Sequence, residues 1–295
     1  MNFKILDCTL RDGGYYTNWD FDQLTVDSYL EAMNNLPVDY IEIGYRSIKL
    51  DGYLGEYFYL PIKTIQYIRN KTSKKTVIIL NEKDIREEHL ESILGKCIGL
   101  IDLVRIAVDP KNIKRAIVLA KGLKKMGFEV GFNVMYMSTW FDQKGFFESL
   151  SEVNDVADYF YMVDSFGGVY PKDVIKTYDR IKNDLTIKIG FHGHNNLELA
   201  LINTITAIDC GVDVIDATIT GMGRGAGNLK TELLLTHLSS NQDLRIDFNS
   251  LSSVVDIFSK LQEKYNWGTN LPYMVSGANS LPQKQVMEWV SNRSY

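Results

Sequence analysis

Short runs of β-branched and aromatic residues recur along the chain, each followed by a longer stretch whose apolar residues fall three and four apart. The runs are Phe3–Asp7, Tyr40–Gly44, Thr76–Leu80, Leu103–Val108, Glu129–Val134, Tyr159–Asp164, Ile187–His194 and Val212–Ile219. Their length and composition predict strands. Between them, Asn112–Met126 carries Ile113, Ala116, Ile117, Ala120 and Leu123 on one helical stripe. Asn196–Cys210 and Asn228–Leu238 follow the same pattern, and each opens on Asn, a good helix N-cap. Strand–helix alternation calls for parallel strands joined by crossover helices. Eight such units match the size of an α/β (β/α)8 TIM barrel. The rival doubly wound sheet usually carries GxGxxG after its first strand. Here that position reads Arg11-Asp12-Gly13-Gly14. The pattern therefore predicts a barrel domain over residues 1–242 and a short helical C-terminal extension over 243–295, irregular around Pro272–Pro282.

Composition narrows the setting. The chain has 295 residues, 45% hydrophobic and 23% charged, enough apolar material for a large core and too much for a disordered chain. Its net charge of −5 is a poor basis for binding nucleic acid and offers no polybasic membrane patch. Apolar runs such as Val77–Leu80 fall far short of a membrane span, and the start, MNFKILDCTL, lacks a secretory h-region. Cys8, Cys97 and Cys210 are sparse and odd in number, as expected of reduced thiols. A cytoplasmic protein, without nucleic-acid or membrane partners and assembled as a homo-oligomer, is the expectation.

In a barrel, chemistry collects at the C-terminal ends of the strands. His192 and His194 end the seventh predicted strand. Residues i and i+2 of a strand share a face, so both imidazoles should project together into the barrel mouth. Asp7 ends the first strand and offers a carboxylate. Two histidines and one carboxylate form a facial triad suited to a Lewis-acid divalent ion. Cys8 should then point away from Asp7 and pack behind the sheet. Arg11 and Asp12 follow in the first loop, either as a surface ion pair or with the guanidinium poised for a developing oxyanion. Glu42 and Arg105 alternate with apolar neighbours and could face inward, where each would need a partner: the other, or Arg11. Asp164 and Ser165 end the sixth strand. The run Gly221–Gly227 precedes a predicted helix opened by Asn228, a place where barrels hold anions, and Arg224 adds positive charge. Tyr15 lies close enough to Arg11 to line the pocket. Phenols titrate near 10 in water and are better acids than bases at neutral pH.

The segments LDCTLRDGGY, VDSFGG, GFHGHNN and DATITGMGRGAGN stand in this order. Together they resemble the pyruvate-carboxyltransferase-like, or HMG-CoA-lyase-like, family of metal-dependent TIM barrels over about residues 3–240, and within it the 4-hydroxy-2-oxovalerate aldolases. The resemblance implies a divalent ion, Mn2+ or Mg2+, and an aldolase or lyase that joins or cleaves pyruvate (or another 2-oxo acid) and an aldehyde through a metal-bound enolate. It implies Asp7, His192 and His194 as metal ligands, with Asn228 a fourth in the lyase branch. It implies Arg11 as the group that stabilises the enolate and Asp164 and Ser165 as pocket residues, while Asp12, Glu42, Arg105 and Arg224 are expected around the substrate from their positions at strand ends and in the loops. The aldolases carry a histidine base where this chain has Tyr15, and their C-terminal domain docks a dehydrogenase. Residues 243–295 look too short for all of that domain, so a larger, sugar-like aldehyde is one candidate partner. If Tyr15 only packs, Tyr273 of the extension is the next candidate for the proton. The rivals are a Claisen-type synthase joining an acyl-CoA to a 2-oxo acid, and a barrel that binds ligand without catalysis.

Overall fold

The computed structural model describes residues 2–242 and 244–292. Eight parallel strands close a barrel in sequence order: β1 (Lys4–Asp7), β2 (Tyr40–Tyr45), β3 (Lys75–Asn81), β4 (Leu103–Val108), β5 (Glu129–Val134), β6 (Tyr159–Asp164), β7 (Lys188–Gly193) and β8 (Val214–Ala217). The register closes by pairing Leu6 with Asp216 and Asp7 with Ala217. The architecture is the (β/α)8 barrel with further C-terminal helices.

The barrel has two apolar compartments. Leu6, Cys8, Tyr40, Val77, Leu103, Tyr159, Tyr161, Val163 and Val214 fill the interior. The alternate strand residues, such as Ile5, Ile41, Ile78 and Ile215, join a larger cluster with the surrounding helices. Each strand is thus buried on both faces, as parallel barrels require. Small residues make room for large ones inside: a Cβ on Gly190 would stand 2.3 Å from the Tyr161 ring.

Helices form where the stripe and the caps coincide. Ile113–Lys125 buries Ile113, Ala116, Ile117, Ala120 and Leu123. Gln23–Asn35 starts where Asp22 accepts from the Thr25 amide at 2.8 Å. Two predicted starts differ. The helices open at Ala200 and Thr231 rather than at Asn196 and Asn228. Neither asparagine caps a helix, because tertiary partners hold both side chains. The helix Phe248–Tyr265 packs Leu251, Val254 and Phe258 into the barrel's own core cluster, with Phe258 beside Tyr29 of Gln23–Asn35. Leu271–Ala278 and Gln283–Ser291 follow. The expected division at 242/243 falls at Asp243, outside the described residues. No helix among the described residues is long and apolar enough to cross a membrane.

Candidate active site

β1 runs directly into a short helix, Thr9–Asp12, which carries Arg11 and Asp12 over the top of the barrel. β7 delivers His192 from its interior face, and His194 follows just past its end, bridged to Asn228. The two rings lie 5.2 Å apart. Asp12 Oδ2 lies 3.6 Å from His192 Nε2 and accepts from Asn228 Nδ2 at 2.6 Å. Asp12, His192, His194 and Asn228 therefore meet at one point.

Asp7 is not among them, contrary to the expected ligand set. Leu6 and Cys8 face the barrel interior, so Asp7 points outward between sheet and helices. Its Oδ1 accepts from the Thr9 amide (2.9 Å), the Thr9 hydroxyl (2.6 Å) and Tyr29 (2.8 Å), and its Oδ2 from Thr231 (2.7 Å). A carboxylate so fully engaged has no lone pair aimed at the mouth. Burial raises its pKa despite those bonds. Cys8 is corrected by the same parity. Its Sγ lies inside the barrel, 3.8 Å from Asp12 Oδ2 and 3.6 Å from the Ala217 carbonyl. Burial, then the charge of Asp12, pushes this thiol well above its ordinary value.

A closed circuit of buried charge supports the mouth. Arg11 bonds Asp12, and its Nε donates to Glu42 Oε2 at 2.6 Å. Glu42 Oε1 lies 3.5 Å from Arg105 Nη1. Arg105 Nη2 donates to Asp216 Oδ2 at 2.6 Å and also bonds Asn133, while its guanidinium stacks 4.0 Å over the Tyr161 ring. Asp216 Oδ2 lies 2.9 Å from His192 Nδ1, and the circuit returns to Asp12. Burial opposes ionisation of Asp12 and Asp216. At Asp12 the combined effect of Arg11, His192, His194 and the Asn228 bond outweighs it, and at Asp216 that of Arg105 and His192, so both carboxyls titrate below their ordinary value. Asp216 escapes a reading of the sequence, although it stands two residues beyond inward-facing Val214 on β8 and so shares its face.

This arrangement fits a divalent cation. The Asp216 carboxylate assigns the His192 proton to Nδ1 and leaves the Nε2 lone pair facing Asp12. At 3.6 Å the Nε2–Oδ2 gap is long for a hydrogen bond but close to the ~3 Å that separates neighbouring ligands each about 2.1 Å from an ion. Among the described residues, His194 Nδ1 and Asn228 Oδ1 are buried with no hydrogen-bond partner. Burial, then the adjacent His192, holds His194 well below its ordinary pKa, in the neutral form that ligates. Cys8, His192 and Asp216 also bring candidate ligand atoms within 4.8 Å of one another, but there His192 and Asp216 already satisfy each other.

The remaining expected residues take different places. Asp164 accepts from the amides of Gly168 (3.1 Å) and Val169 (3.3 Å), which fold the turn after β6. Burial lifts its pKa to about 6. Ser165 Oγ accepts from the Tyr136 amide at 2.9 Å. The hydroxyls of Tyr15 and Tyr45 are 3.2 Å apart, and the Arg224 guanidinium lies 5.0 Å over the Tyr15 ring. The helix after the glycine run opens only at Thr231, so the run does not itself form the helix N-terminus. The Gly221, Gly227 and Asn228 amides are spent on Thr218, Arg224 and Gly221 carbonyls. Glycine is required at 223, where a Cβ would stand 2.5 Å from Asn228 Nδ2. Tyr273 packs with Ala226 and Val286 against this loop, and the Tyr16 hydroxyl donates to the Gly225 carbonyl at 2.9 Å. Asn196 donates to the Tyr273 carbonyl and Ser276 Oγ (both 3.0 Å) and accepts from Gln283 at 2.7 Å. The C-terminal helices thereby brace the loop after β7.

A solved structure of the N-terminal domain of a protein assigned as an aldolase from Bacteroides vulgatus superposes with a TM-score of 0.96 at 57% identity, covering 98% of this chain and 97% of that one. The carboxyl transferase domain of Rhizobium etli pyruvate carboxylase shares the fold (TM-score 0.78, 13% identity, 99% of this chain and 53% of that one). Among curated relatives, a 4-hydroxy-2-oxovalerate aldolase of Geobacillus genomosp. 3 is 31% identical over 252 residues, 80% of this chain and 70% of the relative. One from Chloroflexus aurantiacus is 29% identical over 272 residues, 87% of this chain and 72% of the relative. Barrel and relatives together define an aldolase-type carbon–carbon lyase. The HMGL-like family model matches residues 103–258. The chain belongs to the HMGL-like family.

Proposed function

We propose that this chain catalyses divalent-metal-dependent aldol addition or cleavage between pyruvate, or a related 2-oxo acid, and an aldehyde. The observation that carries the reading is the convergence of Asp12, His192, His194 and Asn228, with His194 Nδ1 and Asn228 Oδ1 buried and unpaired. These four are the proposed ligands. Two oxygen and two imidazole donors suit Mn2+ or Mg2+. When bound, such an ion supplies Lewis acidity to the keto and carboxylate oxygens of the 2-oxo acid.

The protein groups do the rest. As the C–C bond breaks, its electron pair passes into the 2-oxo acid fragment and charge develops on the former keto oxygen. Arg11 Nη2 is buried with no partner among the described residues and is the donor proposed for that oxygen. Glu42 and Asp12 grip the other guanidinium nitrogens, so the donor is fixed in advance. Asp216 holds the His192 ring in one tautomer and orientation. Tyr15 Oη, beside Tyr45 Oη, is the proposed donor of a proton to the aldehyde oxygen in addition, and in cleavage it takes the substrate hydroxyl proton as its own proton passes on to solvent. The aldehyde reacts on the side of the mouth where these phenols and Arg224 stand.

The test is exchange of pyruvate methyl protons with deuterated solvent, followed by NMR without any aldehyde. Exchange should require added Mn2+ or Mg2+, stop with chelator, and disappear in His192→Ala. Exchange that survives both chelator and His192→Ala would overturn the reading.

A further inference from the structure

Arg11 and Arg105, which are buried, and Arg46, which is half-buried, have evident partners, and half-buried Arg224 is the exception. Arg11 sits between Asp12 and Glu42, and Arg105 between Glu42 and Asp216. Arg46 has no carboxylate but spends its nitrogens on the carbonyls of Ile93, Tyr59 and Leu60. Arg224 has neither. Among the described residues no carboxylate forms an ion pair with it, its Nε is buried without a partner, and its guanidinium rests only on the face of Tyr15. Burial favours the neutral form, but Tyr15, Tyr136, Tyr45 and Asp12 outweigh it, so the group stays charged. Half-burying a cation and enclosing its Nε without a counter-ion carries part of the cost of withdrawing it from water, and a face-on aromatic contact offsets only some of that. Arg224 also lies on the loop that carries Asn228, and it covers the ring of Tyr15, whose hydroxyl stands beside that of Tyr45. The missing anion would therefore arrive next to the reacting centre.

We infer that Arg224 selects the aldehyde, and that the aldehyde bears an anionic group, a carboxylate or a phosphate, at the end away from its carbonyl. The inference rests on the aldolase reading above. Arg11 is already committed to the 2-oxo acid fragment and to two carboxylates, which leaves Arg224 for the second substrate. A planar guanidinium donates in parallel to either oxyanion, so both chemistries suit it.

The test uses the full chain with Mn2+, pyruvate and two matched pairs of aldehydes. These are succinic semialdehyde against butanal for the carboxylate, and glyceraldehyde 3-phosphate against glyceraldehyde for the phosphate. The wild type should prefer the charged member of one pair by about 10–100-fold in kcat/KM, the range of a charge-assisted hydrogen bond. The pair that shows the preference identifies the anion. Arg224→Ala should collapse the ratio towards one through KM of the charged aldehyde, and Arg224→Lys should restore part of it. The wild-type comparison needs no variant, so misfolding of Arg224→Ala cannot shelter the idea. Pyruvate exchange without preference for either anion overturns this inference alone. So does an Arg224→Ala effect confined to KM of pyruvate. Absence of pyruvate exchange in the wild type overturns the aldolase reading and this inference with it.

Discussion

Asp7→Asn and Asp12→Asn make the same chemical change at the two ends of the first β/α junction, and the structure gives them opposite outcomes. The only hydrogen bond to Asp7 Oδ2 among the described residues comes from the Thr231 hydroxyl. An amide nitrogen there can donate to that hydroxyl instead, while the three bonds to Oδ1 remain. The change also removes a carboxyl whose charge burial disfavours, so Asp7→Asn should alter stability by no more than about 1 kcal/mol. Asp7→Ala is different. It strands the Thr9 amide and the Tyr29 hydroxyl, and at roughly 1–3 kcal/mol each the loss is about 4 kcal/mol. Neither variant should lose metal. Asp12→Asn removes a charged ligand, and since changing groups behind metal ligands already costs about 10–100-fold in affinity, the loss here should exceed 100-fold. Urea melts and metal titration of the three purified variants provide the assay. Metal loss from well-folded Asp7→Asn, or wild-type affinity in Asp12→Asn, would refute the assignment.

Arg11→Lys should fold and bind metal yet lose about 10²–10³ in kcat, because the three N–H groups of a compact ammonium cannot span Glu42, Asp12 and the oxyanion as the planar guanidinium fork does. Near-normal turnover would reduce Arg11 to an ion pair. Tyr15→Phe keeps the ring under Arg224 but deletes the hydroxyl beside Tyr45, and kcat should fall about 10²-fold with metal affinity unchanged. Wild-type speed would leave the phenol a packing role. Asp164, raised to about 6 in the fold, favours its protonated form there. Its stabilising contribution is complete below the unfolded value near 3.9 and is lost as pH rises through 6. The stability of Asp164→Asn relative to wild type should therefore improve from pH 4 to pH 7 in paired urea melts. A difference constant with pH would show that Asp164 titrates normally.

Element type and order follow from local pattern. Runs rich in β-branched and aromatic residues separated by apolar stripes specify strand, helix and their alternation, and β4, β5 and β6 lie where the pattern places them. The pairing of His192 with His194 is likewise local, since it needs only the two-residue repeat of an extended chain. Which face of a strand looks inward is not local. A barrel strand is apolar on both sides, so alternation carries no mark of inside or outside. For this reason Asp7 reads as a mouth residue when it faces the helices, Cys8 reads as outer packing when it lies within, and Asp216 goes unnoticed beneath His192. Asp12 reaches the histidines only because a short helix turns it over the barrel. Asn196 and Asn228 look like helix caps until chain from Asp12 and from the C-terminal helices claims their side chains. The sequence by itself determined the barrel and the kinds of group at its mouth. Closure of the barrel decided which of them meet, because strand parity and contacts between distant loops exist only once the first and eighth strands have paired.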